Sequence, residues 1–245
     1  MSLTEPRLID IVKKQFRYKL TAYTGVFSSL LIMQLLGVFM GFNSGGGMTS
    51  SETLTVFQES ATNDSTVAFT LIWALAMGIL VTTVAHRNDA FSFVSNRLSH
   101  HLASFSFLLV ISVIAGMTAV LAGSLTPLIG YLQNNELFIT SQGIFQAPAS
   151  FGIQIMTSIL YTILLAGFGY AIGSCIQRSR LFIPVILVTF FVLPFWIGAF
   201  DFLEKIITFF GSETSFSLFL VKVTVTVTLF FLLSIAITTK LEVRK

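Results

Sequence analysis

The sequence predicts an all-α membrane protein with six transmembrane helices, and three observations carry that prediction. Uncharged runs of about 20 residues or more recur along the chain, long enough to cross a hydrocarbon core about 30 Å thick. Only 10% of the 245 residues are Asp, Glu, Lys or Arg and the mean hydropathy is +0.87, whereas an ordinary soluble domain carries roughly 25% charged residues. The basic residues also gather on alternate connections, as a fixed orientation in a bilayer requires. The spans use up the length, so residues 1–245 form one transmembrane domain. No stretch of about 100 residues is left for a soluble catalytic or nucleotide-binding domain.

The chain opens with an amphipathic stretch. Leu8, Ile9, Val12, Phe16 and Leu20 fall on one side of a helical wheel and Arg7, Asp10, Lys13, Lys14 and Arg17 on the other, with Ile11 and Lys19 departing from the pattern. Such a helix lies in the membrane interface, held by apolar burial and by anionic lipid. The six spans follow at 22–42, 66–85, 102–123, 151–176, 181–200 and 215–239. Basic residues before an apolar run resemble a secretory signal, but the first span is too long for a signal core and lacks a small-x-small cleavage pattern, so it reads as an uncleaved helix.

The connections differ in character. Residues 43–65 begin Asn43-Ser44-Gly45-Gly46-Gly47 and continue polar, which suits a flexible external loop with no core. Between the second and third spans, Asn88 suits the cap of a short helix, and Phe91, Val94 and Leu98 form an apolar edge beside Asn96, Arg97 and Ser99. That helix is either a lid on the bilayer surface or a docking element for a cytoplasmic partner. Residues 124–150, with Pro127, Gly143 and Pro148, carry a single charge and are apolar enough to dip into the interface. The turn from Gln177 to Arg180 is so short that the fourth and fifth spans must be antiparallel neighbours. Pro194, inside the fifth span, removes an amide donor and should kink it.

Orientation follows from charge. Of the 14 Lys and Arg residues, twelve lie in the N-terminal segment, the second-to-third and fourth-to-fifth connections and the C-terminal tail. The other three connections hold only Lys205, and Lys222 sits inside the last span. The positive-inside rule therefore puts both termini in the cytoplasm. Lys222 is close enough to the outer end either to snorkel to the interface or to attract an anionic group of a cargo.

Catalytic chemistry is absent from the pattern. There is no G-x-x-x-x-G-K-[ST] phosphate loop, no H-E-x-x-H zinc site and no G-x-S-x-G nucleophile elbow. No Asp or Glu lies near the centre of a span, so a carboxylate-based proton relay is not expected either. His86, His100 and His101 share one loop, but adjacent histidines do not easily share one ion and an i, i+4 pair is lacking, so no metal is expected and polar residues at the headgroup boundary are the simpler reading. Cys175 is the lone cysteine, which leaves no internal disulfide and suits a small packing residue. Gly37-x-x-x-Gly41 and Gly169-x-x-x-Gly173 permit close helix approach, within the chain or between two copies.

The ordered set of a basic amphipathic N-terminal helix, six spans with both ends inside, a short helix between the second and third spans, and an amphipathic stretch from Phe202 to Ser212 resembles the permease subunit of type-2 ABC exporters. The segment Phe93-Val94-Ser95-Asn96-Arg97-Leu98-Ser99 is similar to a stretch in small Gram-positive members, including permeases that export amphipathic peptides. The resemblance implies a bacterial cell membrane, an elbow helix over 3–19, a coupling helix from Arg87 to His101 and an outer re-entrant element over Phe202–Ser212. It implies no enzyme activity and no cofactor in this chain, with ATP and Mg held by two copies of a cytoplasmic ATP-binding subunit. It also implies a second permease chain, identical or homologous, membrane lipids as surroundings and no nucleic acid. Under the resemblance Phe91, Val94, Asn96, Arg97 and Leu98 contact the ATPase, while Tyr23, Ser28, Ser29, Gln34, Trp73 and Pro194 border the cargo path. Helices so poor in charge suit an amphipathic or lipid-like cargo better than a charged one. A substrate-capture subunit of an importer, or a membrane immunity or scaffold protein that transports nothing, fits the same composition.

Overall fold

A chain this apolar has no water at its spans to bond backbone amides and carbonyls, so it satisfies them along its own helices. The computed structural model describes residues 8–43, 47–51, 54–58, 64–83, 97–125, 148–179, 181–188, 200–213 and 215–239. Among them the fold is helical apart from one short hairpin. In chain order the elements are α1 (Leu8–Ala22), α2 (Gly25–Asn43), β1 (Gly47–Ser51), β2 (Leu54–Gln58), α3 (Asp64–Val81), α4 (Arg97–Gly123), α5 (Pro148–Arg178), α6 (Phe182–Leu187), α7 (Phe200–Gly211) and α8 (Phe216–Thr239).

Four of the described helices, α3, α4, α5 and α8, are long and apolar enough to cross a membrane. The pair α1 and α2 adds a fifth candidate if it is counted as one bent span. Residues 189–199, the larger part of the expected fifth span and the part holding Pro194, lie outside the described residues; α6 is its described beginning. Two helices outrun their expected bounds. The 27 residues of α4 and the 31 of α5 measure about 40 and 46 Å at 1.5 Å per residue, so they tilt or emerge into the headgroups. Residues 97–101 of the expected cytoplasmic helix are in fact the first turns of α4.

The loop read as structureless contains the hairpin. β1 and β2 pair antiparallel, Gly47 opposite Gln58 and Ser51 opposite Leu54. Thr49, Thr55, Val56 and Phe57 are strand-favouring residues, and the glycine run that suggested flexibility ends where β1 begins.

α5 is the axis of the bundle, packing along α3, α4 and α8, while α2 lies on α3 and α1 on α4. Lipid is as apolar as leucine, so helices associate here through close packing rather than exclusion from water. Small residues supply it. A Cβ on Gly78 of α3 would come within 2.8 Å of the Tyr170 amide nitrogen of α5, and one on Gly169 or Gly173 would collide with Leu75 or Thr82 of α3. Likewise, a Cβ on Gly116 of α4 would lie 2.6 Å from Ile159 Cα of α5. Around these contacts Leu30, Trp73, Met77, Phe107, Ile111 and Ala166 form one buried apolar cluster from four helices. A second cluster seats Phe219, Val223 and Val227 of α8 against Leu164 of α5.

The α1–α2 junction bends by 54°. At Tyr23 and Thr24 the pattern tightens, Val26 N–H bonding the Tyr23 carbonyl at 3.0 Å and Phe27 N–H the Thr24 carbonyl at 3.1 Å. Gly25, a weak helix former, follows at once. α8 contains Val223-Thr224-Val225-Thr226-Val227-Thr228, an alternation that in water would suit a strand. In lipid the backbone can satisfy itself only as a helix, and the threonine hydroxyls are satisfied by bonding back one turn: Thr224 donates to the Leu220 carbonyl, Thr226 to that of Lys222 and Thr228 to that of Thr224, each at 2.8 Å.

Candidate functional site

The amphipathic face of α1 is turned onto the bundle, with Phe16 and Leu20 packed against the main cluster. Gln15 and Lys19 share that strip and are buried, at 2% and 3% exposure. The Lys19 ammonium donates to the Ser104 hydroxyl on α4 at 2.6 Å, and Ser104 donates to the His100 carbonyl at 2.9 Å. His101, the next residue of α4, is hydrogen-bonded at both ring nitrogens. Nδ1 lies 2.6 Å from the Tyr170 hydroxyl of α5 and Nε2 lies 2.7 Å from Thr238 Oγ1 of α8. Thr238 gives its own proton to the Ser234 carbonyl at 2.7 Å. Nε2–H therefore donates to Thr238, and Nδ1 accepts from the Tyr170 phenol. The Tyr170 ring also meets the imidazole edge to face, at 89° and 6.0 Å between centroids. One polar cluster thus fastens α1, α4, α5 and α8 at a single end of the bundle.

Two of the three histidines are among the described residues. His100 and His101 stand 5.8 Å apart between ring centroids, and no group of three His, Cys, Asp or Glu side chains comes together among the described residues. His86 lies outside them.

The residues expected to border a cargo path have a common placement. Trp73 Nε1 donates to Ser29 Oγ at 3.0 Å, joining α3 to α2, and Ser29 donates onward to the Val26 carbonyl at 2.8 Å. Gln34 Nε2 donates to Thr118 Oγ1 at 2.9 Å and to the Ala115 carbonyl at 3.2 Å, joining α2 to α4. Tyr23 meets the Phe107 ring edge-on at 6.1 Å. Ser28 is exposed. Pro194 lies outside the described residues, as do Phe91, Val94 and Asn96 of the expected coupling helix. Arg97 opens α4, and Leu98 beside it is 42% exposed.

Lys222 bonds back to the end of α7. Its ammonium pairs with Glu213, donates to the Phe209 carbonyl at 3.1 Å and sits 4.0 Å from the centre of the Phe209 ring. Tyr161 of α5 donates to the neighbouring Phe210 carbonyl at 2.9 Å. A cation and a phenol thus satisfy carbonyls that a helix terminus leaves open, and the positive charge lies where the helix dipole is negative.

Comparison with protein-family models, with curated proteins and with solved structures gave no match. Sequence reasoning missed the Lys19 cluster. Lys19 read only as a departure from the wheel pattern, yet Gln15 and Lys19 are one turn apart on the apolar strip of Val12 and Phe16. Polar residues on an apolar strip were the available signal. Tyr170 and Thr238 had no local signal, because they lie 69 and 137 residues from His101.

Proposed function

We propose that the chain is the membrane permease subunit of an ATP-driven exporter of the type-2 ABC class, moving an amphipathic or lipid-like cargo outward with a separate ATPase. The observation that carries this reading is the 54° junction between the basic amphipathic α1 and the apolar α2, the form of an elbow helix leading into a first span. The amphipathic α7, tied by Tyr161 and Lys222 just before α8, suits an outer re-entrant element. Six spans are supported by helix direction. Gly78 and Gly173 of the α3–α5 seam, and Tyr161 against Phe219, align α3, α5 and α8 in parallel. A return between Arg178 and Phe216 fits these directions, and residues 181–200 are the apolar stretch to which we assign it. Both termini are cytoplasmic in this reading, residues 87–101 contact the ATPase, and a second permease chain completes the path.

Mild detergent extraction followed by mass measurement tests it: two permease chains with two ATPases are expected. A lone monomer under several mild conditions would instead favour an immunity or scaffold protein that binds its target within the bilayer. One observation favours that second reading, since Ser29, Gln34 and Trp73 spend their polar groups on ties within the chain.

A further inference from the structure

The face by which α1 docks on the bundle contains a cost. Gln15 is 2% exposed, and neither its Oε1 nor its Nε2 has a hydrogen-bond partner among the described residues. An amide buried in this way forfeits the bonds that water would give it. One turn further on the same face, the Lys19 ammonium is buried against Ser104 and loses most of its hydration. Docking is favoured by Phe16 and Leu20 against the core. The opposing terms are therefore built into the same surface.

The outward face is equally specific. Lys13, Lys14 and Arg17 are exposed there with Asp10 as the exposed acid. At the joint, Gly25 has nothing within 4 Å of where a Cβ would stand, and the turn is held by short-range bonds to the Tyr23 and Thr24 carbonyls. Because α1 ends at Ala22 and α2 begins at Gly25, swinging α1 breaks no long helix.

We propose that α1 is a latch that swings away from α4 about the Tyr23–Thr24 joint, and that an anionic lipid surface captures the released form. On release Gln15, at the edge of the apolar strip, reaches the polar boundary, and Lys19, on the strip itself, extends its long stem to the headgroups that Lys13, Lys14 and Arg17 already meet. Phe16 and Leu20 stay buried at the acyl boundary. A zwitterionic surface offers the same apolar burial without the attraction, so the docked form dominates there. The inference needs only a membrane-embedded chain and does not depend on the exporter reading.

Spin labels on Asp10→Cys and Arg178→Cys, in full-length protein carrying Cys175→Ser, report the distance from α1 to the end of α5. In vesicles of phosphatidylcholine one distance is expected. Added phosphatidylglycerol should bring up a second, longer population, and high salt should suppress it. Gln15→Leu removes the unpartnered amide and should raise the docked-to-released ratio by about tenfold. A single distance in both lipids overturns the latch, and so does a second population indifferent to phosphatidylglycerol. A Gln15→Leu variant with an unchanged ratio does the same. If that variant fails to fold, the lipid and salt dependence of the unsubstituted protein decides the question.

Discussion

His101 draws three helices together with one ring, and its removal takes one hydrogen-bond partner from the Tyr170 phenol on α5 and one from Thr238 on α8. Interhelical hydrogen bonds in bilayers are modest, averaging about 0.6 and reaching about 1.7 kcal/mol, so loss of two should cost about 1–3 kcal/mol. We expect His101→Ala to unfold that much more easily when titrated with denaturing detergent in mixed micelles. Thr228→Ala is the matched control, since Thr228 is exposed and bonds only within its own helix; a change within about 0.5 kcal/mol is expected. Equal losses from both would remove the cluster from the list of features that hold the bundle. From sequence, His101 looked like a headgroup-boundary residue because its neighbours are polar and its true partners are remote. Trp73, Ser29 and Gln34 were recognisable as the unusual polar groups of their helices, but not as partners of one another or of α4, because facing residues on separate helices leave no spacing signature.

At the scale of elements, the α3–α5 seam depends on the absence of side chains. A Cβ at Gly78 would press on backbone atoms of Ala166, Gly169 and Tyr170, which cannot swing aside as a side-chain tip does. Gly78→Ala should therefore part the helices and cost about 1–3 kcal/mol, as overpacking does, in spite of alanine's better helix propensity. Gly152→Ala provides the opposite case: nothing lies within 4 Å of its added methyl, so a gain of up to about 1 kcal/mol is expected. Thermal unfolding in detergent reads both, and a neutral Gly78→Ala would mean the helices are not in this contact. The glycine spacing at 169 and 173 announced a close approach without naming the partner, which is α3 of the same chain. Gly78 carried no such motif. Helix existence was legible from apolar length alone, whereas helix ends were not, because α4 and α5 continue past the apolar run on polar residues whose helical bonds need no hydrophobic support. The hairpin was hidden because its glycines outweighed its β-branched residues.

For the whole molecule, sidedness and helix direction can be tested together. The cluster joins the start of α4 to the ends of α1, α5 and α8, and the Gly37 contact with Thr66 makes α2 and α3 antiparallel. β1 and the segment after α4 therefore leave from the end of the bundle opposite the cluster. In the proposed orientation the cluster's end faces the cytoplasm: among the described residues Lys13, Lys14, Arg17, Lys19, Arg97 and Arg178 stand at that end, and Lys205 and Lys222 do not. Moving such residues across a bilayer is unfavourable enough to set orientation during insertion. Single cysteines at Ser50 and at Gln142, in a Cys175→Ser background, should react with a membrane-impermeant thiol reagent added to intact cells, and one at Ser95 should react only after the cells are opened. Reaction at Ser50 from outside, with Gln142 reacting only after the cells are opened, would contradict the helix directions. Reaction at Ser95 from outside, with Ser50 and Gln142 protected, would leave the helix directions standing and invert the protein. In that case the buried lysine and the basic face of α1 would meet the outer leaflet, and a cytoplasmic ATPase could not reach the segment 87–101 proposed to couple to it.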